Sequence, residues 1–242
     1  MYHSHLLINV GDNPDRPDWN ICRRWLRNPY RVHQRLCMGF PSAGRREADP
    51  AFLQPFQPGD FDGAPGGDVH QPRGPAGGFL FRIDLGHPPV VVVQSARRPD
   101  WEYAFANASF LLAGPPHVRE YVPVLQSGRR LRFRLRANPT VKRAVQRDGQ
   151  AKPARHALLD EADQRAWLMR KAQGAGFTPL DFAVTGVRRV TCSSPKGKQT
   201  HVAVDFEGLL EVTDPAAFQA ALAGGIGPAK GFGFGLLSIA PA

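Results

Sequence analysis

The stretch Arg129-Arg130-Leu131-Arg132-Phe133-Arg134-Leu135-Arg136-Ala137 alternates apolar and cationic side chains. A period of two marks a strand with one buried face, so Leu131, Phe133 and Leu135 are expected in a core and Arg132, Arg134 and Arg136 on the opposite face. Reading on, residues 161–171 carry a helical pattern that ends before Gly174-Ala175-Gly176. Strand patterns follow near 181–191 and 201–212, then a helix opened by Asp214-Pro215 and a closing strand at 236–239. The order is β-α-β-β-α-β.

Reading back, the first half has the same order. Residues 5–10 predict a strand, Gly11-Asp12-Asn13-Pro14 a turn, and Asp18 the N-cap of a helix containing Trp19, Ile21, Cys22, Trp25 and Leu26. Pro29 interrupts that helix and suits the first position of the next, where Tyr30 and His33 share a face and Val32, Leu36 and Met38 supply apolar contacts. Residues 44–77 hold six Pro and seven Gly among 34 positions with no helical or strand period, which predicts a long mobile insertion. Strands are expected at 78–85 and 90–94, and a helix from Pro99-Asp100-Trp101 through Phe105 and Phe110 to Leu112. A further strand is expected near 118–125. The fold class is therefore α+β, two tandem units, with a boundary near Gly114-Pro115-Pro116 that gives domains 1–115 and 116–242.

The 242 residues carry 31 Lys plus Arg against 21 Asp plus Glu, a formal charge of +10, which points to a polyanionic partner. Cys22, Cys37 and Cys192 form no Cys-x-x-Cys pair, and a reduced, cytoplasmic setting fits them. No signal peptide or membrane span is read. The charge is concentrated: Arg129, Arg130, Arg132, Arg134, Arg136, Lys142, Arg143 and Arg147 are eight basic residues in nineteen, with no acidic one. Arg favours bidentate contact with phosphate, although a solvated sheet face is the plain alternative. Lys152, Arg155 and His156 continue the basic character in a loop or hairpin up to Leu159. The tail holds six glycines and Lys230 between positions 224 and 235; it departs from the P-loop pattern, so it reads either as backbone that approaches phosphate or as a strained connection.

Among eight histidines no metal-ligand spacing occurs, so a structural or catalytic metal has no support in the sequence. His33 stands one turn after Tyr30, with Arg27, Arg31 and Arg35 nearby. Such a pair is structural more often than functional, but it suits metal-independent RNA cleavage. There a ribose 2′-hydroxyl attacks the adjacent phosphorus, an imidazole moves the proton, a phenol orients the groups, and cations stabilise the phosphorane. DNA lacks the attacking hydroxyl.

Four segments in order resemble one family. They are Tyr30-Arg31-Val32-His33 leading to Phe40-Pro41; Val93-Gln94-Ser95 with Pro99-Asp100-Trp101; Phe133-Arg134-Leu135-Arg136-Ala137-Asn138-Pro139-Thr140; and the run from Gly225-Ile226-Gly227-Pro228 to Gly235-Leu236-Leu237. Trp167-Leu168 and Phe206-x-Gly208-x-Leu210 lie between the last two. The chain resembles the CasE type of CRISPR-associated endoribonuclease. The resemblance implies two ferredoxin-like (RRM-like) domains and binding to the stem-loop of a CRISPR repeat RNA. It also implies cleavage on the 3′ side of that stem to leave a cyclic phosphate. It assigns His33 as general acid/base and Tyr30 as its companion, with no metal or nucleotide. It implies retention of the product in the multisubunit Cascade surveillance complex, which alone contacts target DNA. The RNA contacts expected are Arg27, Arg129, Arg130, Arg132, Arg134, Lys142, Arg143, Lys152, Arg155 and Lys230. A non-catalytic RNA-binding subunit and an assembly protein docking an acidic partner are the rival readings.

Overall fold

A computed structural model of the chain describes residues 1–11, 19–54, 60, 78–147, 150–194 and 197–242. For 19, 145–147 and 150–152 it describes the backbone alone. Asp18, residues 12–14, 55–59 and 61–77, and the side chains of Arg147 and Lys152 lie outside the described residues. The chain divides into two compact units. The first holds residues 1–123 with 192–197 and 231–233; the second holds 124–191, 198–230 and 234–242.

In the first unit β1 (Tyr2–Leu7), β2 (Phe79–Asp84), β3 (Val90–Ser95) and β4 (His117–Glu120) form an antiparallel sheet of order β2-β3-β1-β4. α1 (Trp19–Leu26), α2 (Pro29–Cys37), α3 (Ala43–Ala48) and α4 (Trp101–Phe105) belong to this unit. One face of β1 sends Leu6 into a core that α1, α2 and α4 complete with Trp25, Val32, Leu36 and Trp101. β1 starts earlier than its apolar run because His3 pairs with Gln94 of β3 and with Arg119 of β4, which makes it a central strand despite its polar residues. α4 is shorter than the apolar pattern predicts: it stops at Phe105, and Ser109–Leu111 form only a 3₁₀ turn.

The expectation that 44–77 has no regular structure is corrected at its start, where α3 forms. Ser42 caps it by accepting from the Arg45 N–H at 3.2 Å. The buried Arg45 guanidinium is held by Asp49 at 2.9 Å, Asp60 at 2.8 Å, the Gln54 carbonyl at 2.7 Å and the Tyr103 hydroxyl at 3.2 Å. A guanidinium leaves water only when its donors find such partners, so these bonds fix residues 43–54 against α4. The period of the sequence misses a helix whose buried residue is an arginine.

In the second unit β5 (Arg130–Ala137), β8 (Phe177–Ser194), β9 (Gly197–Val212) and β10 (Leu237–Pro241) form a sheet of order β10-β5-β9-β8, backed by α5 (Glu161–Gln173) and α6 (Pro215–Gly224). Read from the last strand, the order 4-1-3-2 repeats that of the first sheet, so the chain is a tandem of ferredoxin-like folds. Leu131, Phe133 and Leu135 are buried, as their alternation predicts, beside Trp167, Phe177, Phe206 and Phe218. Asp160 and Asp214 cap α5 and α6 by accepting backbone N–H bonds. Gly227, at φ +84°, shows why the tail needs glycine: a Cβ there would lie 2.9 Å from the Trp167 ring. β6 (Thr140–Arg147) and β7 (Gln150–Ala157) form a separate two-stranded hairpin. No helix among the described residues is long and apolar enough to cross a membrane.

Candidate RNA-processing site

α2 begins at Pro29, whose ring presets the first helical φ. Its N-cap residue, Asn28, does not cap the helix. The Asn28 amide instead donates to the Ser193 carbonyl at 3.0 Å, and its oxygen accepts from the Ser193 N–H at 3.2 Å. This reciprocal pair ties Ser193 to the N-cap of α2. Tyr30 and His33 follow on one face of the helix, both buried, with the Gln34 amide donating to the Tyr30 hydroxyl at 3.4 Å.

The His33 ring is 4% exposed and lies between aromatic side chains, its centroid 5.2 Å from that of Phe79 and 5.9 Å from that of Phe81. Two groups stand at Nε2. The Cys37 thiol is 3.7 Å away, and a methyl built on Gly231 would lie 3.8 Å from the same nitrogen. Gly231 has no side chain to fill that place, and no positive φ requires a glycine there. The glycine-rich tail therefore meets the imidazole without a side chain at Gly231, whose Cβ position would lie 3.8 Å from Nε2 and 3.9 Å from both Cδ2 and Cε1.

The basic run divides into two electrostatic classes. On β5, Arg130 faces Glu211 at 3.3 Å, Arg134 faces Glu207 at 3.1 Å and Arg136 binds Asp205 at 2.7 Å, all across the strand pair with β9. Asp205 also holds Arg188 at 2.6 Å. Arg132 is exposed opposite Leu209, and Arg129 donates to the Val124 carbonyl at 2.8 Å. The face has the three guanidiniums predicted for it, but β9 supplies carboxylates that the linear run lacks. In the hairpin, by contrast, Lys142 is directly opposite Arg155 and Arg143 is opposite Ala154, with all three cations exposed. Like charges in register repel, which is the arrangement expected where an anion is to bind. Lys152 lies on β7 opposite Val145, and Arg27 is exposed at the end of α1.

Arg155 also lines a cleft of about 670 Å³ in the second unit, with Lys171 at the end of α5, Lys230, and the backbone of Gly225, Gly227 and Pro228. Among the described residues that line it none is acidic. Much of the Lys230 side chain is exposed, yet burial of its ammonium and then the charge of Lys171 hold it below the usual lysine value. Lys171 in the cleft, Asn28 at the start of α2 and Cys37 against His33 are neighbours that sequence reasoning misses. Lys171 reads there only as the end of a helix, and no local motif marks the other two. Among the described residues, no three His, Cys, Asp or Glu side chains gather at metal-ligand spacing.

The family model of CRISPR associated protein matches residues 1–241. The chain belongs to this CRISPR-associated family. Within it, the chain is 34% identical over 253 residues to the CRISPR-associated endoribonuclease Cse3 of Thermus thermophilus, covering all of both. It is 32% identical to the Cascade subunit CasE of Escherichia coli, over 91% of this chain and 96% of that one. Solved structures of the family superimpose over the same length. T. thermophilus Cse3 bound to an RNA representing a pre-cleavage complex aligns at a TM-score of 0.67 and 29% identity, over 99% of this chain and 98% of the other. The E. coli protein Cas6e aligns at 0.65 and 27% identity over the full length of both chains.

Proposed function

We propose that this CRISPR-associated protein is a cytoplasmic, metal-independent endoribonuclease that binds the stem-loop of a CRISPR repeat in precursor RNA and cuts at the 3′ base of the stem. The observation that carries the assignment of chemistry is the His33 imidazole, packed between aromatics and met on its ring by Gly231, which has no side chain to cover it. The ribose 2′-oxygen attacks the adjacent phosphorus as its proton passes to a base. The bond from phosphorus to the 5′-oxygen breaks, that oxygen takes a proton, and a 2′,3′-cyclic phosphate remains. An imidazole moves both protons near neutral pH without a metal. Tyr30 supplies a hydroxyl on the same face of α2 to orient the reacting groups.

The hairpin cations Lys142, Arg143 and Arg155 and the cleft with Lys171 and Lys230 hold the RNA backbone. Among the strand arginines Arg132 is best placed to join them, because Arg130 and Arg134 already face carboxylates. The product stays bound, and the chain acts as a subunit of a Cascade complex that meets target DNA through the assembly.

Incubating the protein in EDTA with a synthetic repeat stem-loop, beside the same RNA carrying a single 2′-deoxy sugar at the scissile position, tests this reading. Cleavage of the first and protection of the second are expected. Tight binding of both with no cut would make the chain a non-catalytic RNA-binding subunit.

A further inference from the structure

His33 and Cys37 are four residues apart on α2, one helical turn, so their side chains stack along one face. The thiol is 1% exposed and its sulfur lies 3.7 Å from His33 Nε2. A buried cysteine is commonly a small apolar filler, but here the neighbour it touches is a ring nitrogen of the imidazole proposed to move the protons. In a neutral imidazole one nitrogen carries the proton and the other a lone pair, and the bond made to one nitrogen decides which.

We infer that Cys37 is a positioning residue for the RNA-cutting reaction: its S–H donates to Nε2 of His33, places the ring proton on Nδ1, and keeps a lone pair on Nε2 to accept a proton. A thiol is a weak donor. An incoming 2′-hydroxyl, a stronger one, displaces it from Nε2 at little cost and finds a lone pair already in place. An alcohol at position 37 keeps the donor, whereas a methyl removes it and frees the ring to take the other tautomer or to rotate between Phe79 and Phe81. This inference rests on the proposed role of His33 in cleavage.

The test uses the full chain and its Cys37→Ala and Cys37→Ser variants with a synthetic repeat stem-loop. Single-turnover cleavage is measured across pH at saturating RNA, and the ¹⁵N shifts of the His33 ring are read without RNA. In the wild type Nδ1 is expected to carry the proton. Cys37→Ala is expected to lose that tautomer preference and to cut roughly threefold to tenfold more slowly, the size of one modest hydrogen bond. Its RNA affinity should be unchanged. Because the thiol stabilises only the uncharged ring, the limb of the rate profile that reports the imidazole should move to higher pH. Cys37→Ser should return both rate and tautomer toward the wild type. A proton on Nε2 in the wild type, or a Cys37→Ala variant with wild-type tautomer and profile, would overturn the inference. Slow cleavage by both variants with wild-type tautomers would also overturn it, since a packing defect alone would then suffice. His33→Ala separates the two levels: if it still cuts, the proposed active site fails, and if it does not cut while the Cys37 variants behave as wild type, only the role of Cys37 fails.

Discussion

β5 and the β6–β7 hairpin are neighbours in the chain and both basic in sequence, yet the fold treats their charges in opposite ways. Each arginine at 130, 134 and 136 meets a carboxylate on β9, while the hairpin sets Lys142 against Arg155 with no carboxylate among its described side chains. The difference lies in the partner strand. Charge that is balanced across a ladder supports the sheet, and charge left in repulsion is available to a polyanion. A run of basic residues is therefore only half of an electrostatic statement until the strand opposite is known.

The sharpest way to break the comparison is to remove the unbalanced charges. Lys142→Ala with Arg155→Ala should weaken stem-loop binding by about tenfold to a hundredfold at low salt and lower the slope of log affinity against log salt by about two. The matched Arg130→Ala with Arg134→Ala pair should change affinity by less than about threefold, because those groups already have partners. Equal losses from the two pairs, measured by titration with labelled RNA at several salt concentrations, would remove the distinction.

Within β5 the contrast is between buried and exposed pairs. Arg136→Ala leaves Asp205 buried with Arg188 alone and should cost about 3 kcal/mol of stability in denaturant unfolding. Arg130→Ala breaks an exposed pair, with Arg130 67% exposed, and should cost less than about 1 kcal/mol.

Gly231→Leu extends the comparison to the proposed site around His33. It introduces no backbone strain, so it should fold normally and bind RNA, while cleavage falls by at least about tenfold as the side chain fills the place beside Nε2. Unchanged cleavage would mean that the substrate approaches His33 from another side.

The smallest expected effect concerns pH. Burial, the largest cause in each case, holds His3, His5 and His201 below the usual 6.5. The unfolded chain then binds more protons than the folded one just below pH 6.5, so stability is full above that value and falls as the pH drops through it. The melting temperature should be about 2–5 °C lower at pH 5.5 than at 7.5. A flat profile would show that these imidazoles titrate as they do in the unfolded chain.

The fold is largely legible in sequence because alternation in β5, the Asp160 and Asp214 caps and the Pro29 helix start are all local signals. What local reading misses is set by contacts distant in sequence. α3 exists because Arg45 finds Tyr103, and the β5 arginines are balanced by residues some seventy to eighty positions later. In the candidate site, the spacing of Tyr30 and His33 puts them on one face of α2, and only the family resemblance gives them a proposed role. The backbone that anchors the start of that helix is not legible locally: Ser193 meets Asn28 across 165 positions.

The most direct test of the account is single-turnover cleavage of the repeat stem-loop by His33→Ala, with binding measured on the same preparation. The account predicts a loss of at least about a hundredfold in cleavage rate with RNA affinity within about twofold of the wild type. Cleavage at the wild-type rate would place the chemistry elsewhere in the molecule and contradict it.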